Sequence, residues 1–225
     1  MHPGGLRLTD RAARLAALKA GMLVADLGCG AGATASHLTS RFGLRVIGLE
    51  ISERLLAAGL HRDPGLCLIR SDCKALPFGD GSLDAVVIEC ALSVLGSMDV
   101  VLAECARALK SSGKLIISDL VSKCEPASGQ FLTEAGLAQR LLKAGFRIVI
   151  NEDHTPALRT YAAELRTPRG EQEGDPERAL RAGGPLRSGQ SGPDFAVGAR
   201  CLGRHSRLSD LGYVLLIATL SDGEG

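Results

Sequence analysis

A glycine-rich segment of the sequence has the residues needed to hold a nucleotide-like ligand. Gly28, Gly30 and Gly32 alternate with small side chains, and a helical pattern opens at Thr34. Glycines at such a turn let the backbone bend tightly and let a ligand approach without a clash against a Cβ atom. The segment also matches the dinucleotide fingerprint, because Glu50 follows Gly28 by 22 residues, where an acid binds a ribose diol. The loop alone therefore leaves both a dehydrogenase and other nucleoside-binding enzymes open.

Asp26 favours a cationic ligand over a dinucleotide. It lies two residues before Gly28, where its carboxylate would repel a pyrophosphate. The same carboxylate suits a ligand that carries cations, such as the ammonium and sulfonium groups of S-adenosylmethionine. Asp72 follows the third predicted strand and could accept a hydrogen bond from an adenine amino group. Three acids at the ends of three successive strands, Asp26, Glu50 and Asp72, predict a cleft for a cationic nucleoside and argue against NAD.

Alternating strand and helix patterns supply the elements that would position these residues. This alternation predicts right-handed βαβ units and a parallel sheet with helices on both faces. Helices are predicted at 34–41, at 53–60 with Ser52 as the N-cap, at 98–110 with a stop at 111–113, and from Thr133 to about Gly145. Strands are predicted at 22–27, 45–49, 66–70, 83–89, 114–119 and 146–151.

The last part of the chain breaks this alternation. Residues 168–212 are rich in Gly, Pro, Arg and Ser, and a strongly apolar strand follows at 213–220. Because such a strand needs cover on both faces, we expect it to join the sheet between the fifth and sixth strands, antiparallel. The fold class is therefore α/β, a Rossmann-like doubly wound sheet, mostly parallel, with seven strands and the last one antiparallel. We expect a single domain over 1–225, with an N-terminal helix or cap at 1–20 and a lid-like or partly disordered insertion at 155–212.

Several motifs in a fixed order resemble those of class I S-adenosylmethionine-dependent methyltransferases. They lie at 26–32 (DLGCGAG), 48–52 (GLEIS), 72–78 (DCKALPF), 84–89 (DAVVIE) and 108–119 (ALKSSGKLIISD). The likeness covers residues 20–151 and resumes at the last strand, and it is greatest to the branch with the ubiquinone/menaquinone and arsenite methyltransferases. Ser111-Ser112-Gly113 departs from the Lys-Pro-Gly that the family commonly has, which is a difference in a turn.

The resemblance implies roles for these residues. The three glycines would shape the loop around the methionine part of S-adenosylmethionine, and Asp26 would order its ammonium group. Glu50 would hold both ribose hydroxyls, while Asp72 and the backbone of Cys73 would hold the adenine. The cofactor would be S-adenosylmethionine, with S-adenosylhomocysteine as its product, and no metal is expected. The full set of expected cofactor-binding residues is Asp26, Gly28, Cys29, Gly30, Gly32, Glu50, Ile51, Asp72, Cys73 and Glu89.

Candidates for catalysis follow two of the predicted strands. Methyl transfer is an in-line displacement that mainly requires alignment and exclusion of water, with a base only where the acceptor carries a proton. Glu89 is the first candidate for that base, although such a residue also contacts the cofactor or caps the next helix. His154, after the sixth strand, is the second, with a surface position as the alternative. Cys90 and Ser93 are further groups on the acceptor side.

Composition excludes several other classes of protein. The 225 residues are 45% hydrophobic, enough for a core, and 26 Lys and Arg against 25 Asp and Glu give no field that attracts nucleic acid or an anionic membrane. Five Phe and two Tyr are too few for a base-stacking platform. The apolar run 214–218 is too short to cross a bilayer, and residues 1–10 lack the apolar segment of a signal peptide. We therefore expect no membrane partner, do not favour nucleic acid as a partner, and expect a cytoplasmic protein whose seven cysteines are free thiols.

Methyl transfer to a small-molecule acceptor is the leading hypothesis, with the acceptor unnamed. A narrower version is arsenite or thiol methylation, with Cys90, Cys124 and Cys201 at the mouth of the cleft, against which stands the ordinary packing of thiols in a core. Methylation of RNA or protein would use the arginine-rich segment before the last strand, although acidic residues largely balance its charge. The remaining alternative is a protein that binds S-adenosylmethionine or its product without catalysis.

Overall fold

The computed structural model describes residues 2–124, 131–166 and 208–221. Helices and strands alternate along these residues. The helices are α1 (Gly5–Leu15), α2 (Ala33–Phe42), α3 (Glu53–Arg62), α4 (Met98–Ala108), α5 (Glu134–Lys143) and α6 (Thr155–Arg166), with a short 3-10 helix at Leu208–Asp210. The strands are β1 (Leu23–Leu27), β2 (Arg45–Glu50), β3 (Cys67–Arg70), β4 (Leu83–Glu89), β5 (Leu109–Ser122), β6 (Phe146–Asp153) and β7 (Leu211–Leu220).

The strands of the described residues form one seven-stranded sheet in the order β3-β2-β1-β4-β5-β7-β6. The first five strands pair in parallel, and β7 lies between β5 and β6, antiparallel to both. The predicted fold class and the predicted place of the last strand are confirmed. The strand order reverses at β1 and β4, so the carboxyl ends of these two strands border the crevice in which such sheets bind ligands.

Two apolar layers cover the faces of the sheet. On one face α4 and α5 bury Leu102 and Leu141 against the strands, and on the other α1 and α2 bury Leu8 and Leu38. The side chains of β4 alternate between the layers, with Val86 and Ile88 in the first and Ala85 and Val87 in the second. This two-sided burial explains why β4 is apolar almost throughout.

The ends of several helices follow the sequence signals. Ser52 caps α3 by accepting a hydrogen bond from the backbone N–H of Leu55, and Thr133 caps α5 in the same way through Gly136. Gly145 has φ +84° after α5, the left-handed conformation that glycine adopts without strain. These local predictions are confirmed.

The junction of α4 and β5 differs from the sequence prediction. The sequence predicts a helix to Lys110 and a turn at 111–113, whereas α4 ends at Ala108 and β5 begins at the next residue. The pairing of β4 with β5 shifts register at this point, so the serine and glycine residues lie in an irregular part of the strand. A bulge adds residues to a strand without ending it. Because such a bulge is rich in the same residues as a turn, the sequence pattern at 111–113 predicts a turn.

The predicted insertion at 155–212 begins with a packed helix. Leu158 of α6 is fully buried, and the hydroxyl of Thr155 accepts a hydrogen bond from the backbone N–H of Tyr213 in β7. Residues 167–207 of this insertion lie outside the described residues, and a lid there stays a prediction. At the other end of the chain, the predicted cap at 1–20 contains α1, which packs on α2 and β7.

Candidate functional site

The glycine loop connects β1 to α2 through residues in left-handed conformations. Gly28, Gly30 and Gly32 have φ of +71°, +56° and +76°. A Cβ atom on Gly28 would lie 2.7 Å from the Cβ of Ala91, so this glycine is needed for contact with the segment after β4. Among the described residues nothing lies within 4 Å of a Cβ built on Gly30. Gly30 therefore faces space that a ligand can occupy.

Asp26 is buried in β1 just before this loop and carries an unpaired oxygen. The residue is 2% exposed, and within the described parts of the chain no group hydrogen-bonds to its Oδ2. Burial, and then the negative charge of Glu89, raise the pKa of Asp26 to about 8. A buried polar atom without a partner is unfavourable, and a bound cation would satisfy it and favour the carboxylate form. The site therefore fits a ligand with an ammonium group.

Glu50 ends β2 and fastens the glycine loop to that strand. Its Oε2 accepts a hydrogen bond from the backbone N–H of Gly30 at 3.1 Å, and its Oε1 accepts one from the backbone N–H of Ser52 at 2.9 Å. Each carboxylate oxygen can accept a second hydrogen bond. Glu50 can thus hold the loop in place and still accept bonds from the two hydroxyls of a ribose.

The residues expected to surround an adenine are partly exposed and partly buried. Asp72 is exposed and accepts a hydrogen bond from the backbone N–H of Lys74 at 3.0 Å. This bond and the Lys74 ammonium group keep the pKa of Asp72 below its ordinary value. Cys73 is buried beside it, whereas Ile51 is 62% exposed. An apolar ligand face could cover Ile51, while Asp72 offers a carboxylate at the edge.

Cys29 packs away from the open side of the loop. A Cβ atom on Gly48 of β2 would lie 2.7 Å from the Sγ of Cys29, so the thiol fills the space above that glycine. Burial raises the pKa of Cys29 above its ordinary value. The thiol is therefore a packing group, and the contribution of Cys29 to a ligand comes from its backbone.

Glu89 is held by three other side chains. Its carboxylate accepts hydrogen bonds from the hydroxyls of Thr9 at 2.9 Å and Thr34 at 2.6 Å, and the Nε2 of His2 lies 3.1 Å from it. Burial opposes ionisation, but His2 and these hydrogen bonds together lower the pKa of Glu89 below its ordinary value. Burial likewise disfavours the charged form of His2, yet Glu89 raises the pKa of His2. A carboxylate with a lowered pKa and three partners is a weak base, and this arrangement suits an anchor for α1.

His2 and Thr9 contact the candidate site, and the sequence does not reveal this. Neither lies in a motif, and only the folding of α1 against α2 brings them to the end of β4. A buried ion pair between distant parts of a chain has no local signature in composition or spacing. The N-terminal helix is thereby part of the wall around Asp26.

His154 lies away from this group. It follows β6, at the edge of the sheet, where its Nε2 is 3.0 Å from Oε2 of Glu152. Glu152 also pairs with Arg11 of α1, and these contacts, the one with Arg11 first, lower the pKa of Glu152 to about 2. The strands β4, β5 and β7 separate β6 from β1. The structure therefore does not bring His154 together with Asp26 and Glu50.

The cysteines expected at the cleft mouth are not gathered there by the described residues. Cys90 is buried with φ +50°, and its Sγ lies 3.1 Å from the Tyr213 hydroxyl. Cys124 is exposed after β5, and Cys201 lies outside the described residues. In the described part of the chain, no group of three or more His, Cys, Asp or Glu side chains could hold a metal ion. Within the same residues, no helix is both long and apolar enough to cross a membrane.

A cavity of about 210 Å³ opens at the carboxyl ends of β4 and β5. Asp119, buried at 3% exposure, accepts hydrogen bonds there from the backbone and the hydroxyl of Ser93, both at 3.1 Å. Burial raises the pKa of Asp119 above its ordinary value. Ser93 is a candidate from the sequence, whereas Asp119 reads as an ordinary strand residue and is missed. The cavity is lined by Leu92, Ser93, Gly96, Met98, Asp119, Leu120, Val121, Leu132, Leu137 and Arg140.

Known proteins resemble this chain in sequence. Residues 25–117 match a family model described as a methyltransferase domain. A demethylmenaquinone methyltransferase of Corynebacterium efficiens is 30% identical, over 74% of this chain and 69% of its own length. Other curated relatives are plant phosphoethanolamine N-methyltransferases, of which this chain spans about one third, and a second demethylmenaquinone methyltransferase, of which it spans 58%.

Solved structures share the fold. Phosphoethanolamine N-methyltransferase 2 of Haemonchus contortus, in complex with S-adenosyl-L-methionine, has a TM-score of 0.72 and 20% identity, over 98% of this chain and 54% of that one. A (4+2)-cyclase, SpnF, has a TM-score of 0.69 and 25% identity, over 96% of this chain and 81% of that one. The cyclase indicates that this fold also serves other chemistry. By its family match, its relatives and its ordered motifs, the chain belongs to the class I S-adenosylmethionine-dependent methyltransferases.

Proposed function

We propose that this protein transfers a methyl group from S-adenosylmethionine to a small-molecule acceptor. The observation that carries the proposal is the buried carboxyl group of Asp26, whose Oδ2 has no partner among the described residues. It lies next to a glycine loop that leaves space at Gly30. An ammonium group in that space would satisfy the oxygen and remove the cost of its burial.

The residues around the loop divide the binding of the donor between them. Asp26 orders the ammonium group, Glu50 accepts hydrogen bonds from the ribose hydroxyls, and Asp72 with the backbone of Cys73 binds the adenine, which Ile51 covers. When bound, S-adenosylmethionine supplies an electrophilic methyl group on a sulfonium. The chain's own residues then align the acceptor and exclude water, which is the main requirement of such a displacement.

A small-molecule acceptor agrees with the relatives and with the charge of the chain. The names of the curated relatives specify demethylmenaquinone and phosphoethanolamine, both small molecules. The formal net charge of +1 provides no strong field for a nucleic acid. RNA or protein methylation is therefore the less favoured alternative. We propose a cytoplasmic location because several described cysteines are free thiols, namely Cys29, Cys67, Cys73, Cys105 and Cys124.

Binding of a ligand without methyl transfer is the second alternative, because a cyclase shares the fold. Turnover of S-adenosylmethionine to S-adenosylhomocysteine with any small acceptor excludes it. A protein that binds the donor and shows no turnover across a panel of acceptors, including quinols, amines and thiols, would support it instead.

Calorimetric titration with S-adenosylmethionine, S-adenosylhomocysteine and NAD tests the proposed cofactor. We expect the first two to bind the wild-type protein and to lose most of their affinity in Glu50→Ala, because the ribose and the loop both depend on that carboxylate. Glu53→Ala is the matched control, since Glu53 lies three residues on and its exposed side chain pairs with Arg70. Binding of NAD in place of the other two would contradict the proposal.

A further inference from the structure

The glycine loop is held from two sides. On its inner side, the backbone N–H groups of Gly28 and Cys29 donate to the carbonyl of Leu49 in β2, at 2.8 and 3.0 Å. The carboxylate of Glu50, at the end of the same strand, binds the N–H of Gly30. On its outer side, the last turn of α3 lies against the loop. The loop is therefore clamped between a strand and a helix.

Arg62 makes the polar contact on the outer side. It belongs to the last turn of α3, and its guanidinium group donates a hydrogen bond to the backbone carbonyl of Ala31 at 2.7 Å. Ala31 lies in the middle of the loop and is buried. A buried carbonyl that loses its donor is unfavourable, and a charged donor forms a stronger bond than a neutral one. The contact therefore resists movement of the loop away from α3.

The peptide group that Arg62 binds also closes the turn that contains Gly30. This peptide joins Ala31 to Gly32, and its N–H donates to the carbonyl of Cys29 at 2.9 Å. Both polar ends of one planar group are thus held, which fixes its orientation. Gly30 lies within the same turn and faces the space that a ligand can occupy. Arg62 therefore acts, through the backbone, on the part of the loop that borders the ligand space.

Two further features show that the end of α3 is fitted to the loop. A Cβ atom on Gly59 would lie 2.6 Å from the carbonyl oxygen of Ala31, so only a glycine lets the helix approach this closely. Asp63, the C-cap of α3, accepts a hydrogen bond from the hydroxyl of Ser36 in α2 at 3.1 Å. The end of α3 therefore contacts both the loop and the helix that follows it.

We propose that Arg62 is a positioning residue for the methyl donor. By holding the carbonyl of Ala31, it keeps the turn from Cys29 to Gly32 in the conformation that accepts the ligand. It acts through the backbone of the loop and not by contact with the donor. This inference rests on the proposed function and adds to it a residue that lies outside the sequence motifs.

Calorimetric titration of S-adenosylhomocysteine into Arg62→Met tests the inference. Methionine keeps an aliphatic stem and removes the hydrogen-bond donor. We expect the affinity to fall about three- to tenfold, because the carbonyl of Ala31 loses a charged donor and the turn is no longer held. Arg62→Lys keeps a charged N–H donor and should bind within about twofold of the wild type.

Arg41→Met is the matched control. Arg41 is exposed in the last turn of α2, as Arg62 is in the last turn of α3, but it lies at the end of α2 that is far from the glycine loop. Both variants lose the favourable interaction of a cation with a helix C-terminus, so both should melt slightly below the wild type. Arg41→Met should bind S-adenosylhomocysteine as the wild type does.

Hydrogen exchange of the ligand-free proteins, followed by NMR, gives a second measurement that needs no ligand. The N–H of Gly32 should exchange faster in Arg62→Met than in Arg41→Met, because its bond to the carbonyl of Cys29 depends on the orientation of the peptide that Arg62 holds. A purely structural role of Arg62 within α3 would speed exchange in that helix and leave Gly32 unchanged.

The results separate this inference from the proposed function. Equal affinities of Arg62→Met and Arg41→Met would overturn the inference alone, and so would a loss of affinity that Arg62→Lys does not restore. Faster exchange at Gly32 with unchanged affinity would overturn it too, because the loop would then be held without consequence for the donor. A wild-type protein that does not bind S-adenosylhomocysteine would overturn the proposed function, and the role of Arg62 with it.

Discussion

Binding of the donor is linked to the protonation of the buried carboxyl group of Asp26. The pKa of about 8 is far above the ordinary 3.8, so the folded, ligand-free protein holds a neutral carboxylic acid at neutral pH. The ammonium group binds the ionised form of Asp26. Its binding below about pH 8 therefore releases the proton from this carboxyl group. Affinity for the donor is expected to rise with pH up to that value and to level off above it.

Asp26→Asn should stabilise the ligand-free protein and weaken its binding. Because the folded pKa is raised, the favourable contribution of protonated Asp26 is complete below pH 3.8 and is lost as the pH rises towards about 8. The variant should therefore melt at a higher temperature than the wild type at pH 8, with the gap narrowing by pH 5. Its affinity for S-adenosylhomocysteine should fall by about tenfold or more. Melting curves at several pH values and calorimetry measure both effects, and equal stability at pH 8 would contradict the raised pKa.

Glu89→Gln should show that Glu89 anchors α1. The variant leaves the buried His2 without its counter-ion, and breaking a buried pair costs about 3 to 5 kcal/mol. The pKa of His2 is raised, so its contribution to the stability of the fold is present below pH 6.5 and is lost as the pH rises. The pKa of Glu89 is lowered, so its contribution is present above pH 4.5 and is lost as the pH falls. The loss of stability should therefore be largest between about pH 5 and 6. Thermal melts across this range check it.

The same variant separates an anchor from a base. If Glu89 took a proton from the acceptor, its loss would lower kcat about a hundredfold or more. We expect a fall in kcat of less than tenfold at a temperature where the variant is folded. A large fall in kcat with unchanged melting temperature would restore the general-base role.

Among the elements, the glycine loop is the one whose backbone conformation decides binding. Gly30→Ala and Gly21→Ala place the same side chain at residues with φ of +56° and +84°, and among the described residues neither new Cβ has a neighbour within 4 Å. Both should lose about 1 kcal/mol of stability from strain. Only Gly30→Ala should also lose affinity for S-adenosylhomocysteine, because its methyl group enters the ligand space. Equal affinities of the two variants would place the ligand elsewhere.

Sequence patterns predict the elements better than their junctions. The caps at Ser52 and Thr133 act within a single turn, so four residues suffice to identify them. The start of β5 at Leu109 depends on pairing with β4 through a shifted register, and such pairing leaves no local trace. The glycine loop, Asp26 and Glu50 are visible because each lies at or just after the carboxyl end of a strand. The His2 contact to Glu89, in contrast, depends on how α1 folds back over the sheet.

For the molecule as a whole, the sheet order brings residues far apart in sequence to one edge. Asp26 and Glu50 lie near the carboxyl ends of β1 and β2, and Asp72 follows β3, all on one side of the strand reversal. On the other side, Ser93 follows β4 and Asp119 lies in β5. The reversal therefore lies between the residues proposed to hold the donor and those that border the cavity. The donor side was predictable because motifs carry it, whereas the cavity was not, because packing alone forms it.

The near-neutral charge predicts that nucleic acid is not a partner. With a formal net charge of +1, we expect little binding of a single-stranded RNA, and whatever occurs should change little with salt. Fluorescence anisotropy with labelled RNA at about 50 and 200 mM salt tests this, because a surface that neutralises several phosphates loses affinity steeply over that range. A steep loss would favour RNA methylation.

The position of β7 also governs the order in which the polypeptide can fold. In the sheet, β6 pairs with β7 and not with β5, yet β7 is synthesised some sixty residues later. Until Leu211–Leu220 leaves the ribosome, the edge of β5 stays open and β6 has no neighbour to join. Pairings this distant along the chain close slowly, so the nascent protein carries two unpaired strand edges late into synthesis, and this is the interval in which it is most prone to aggregate.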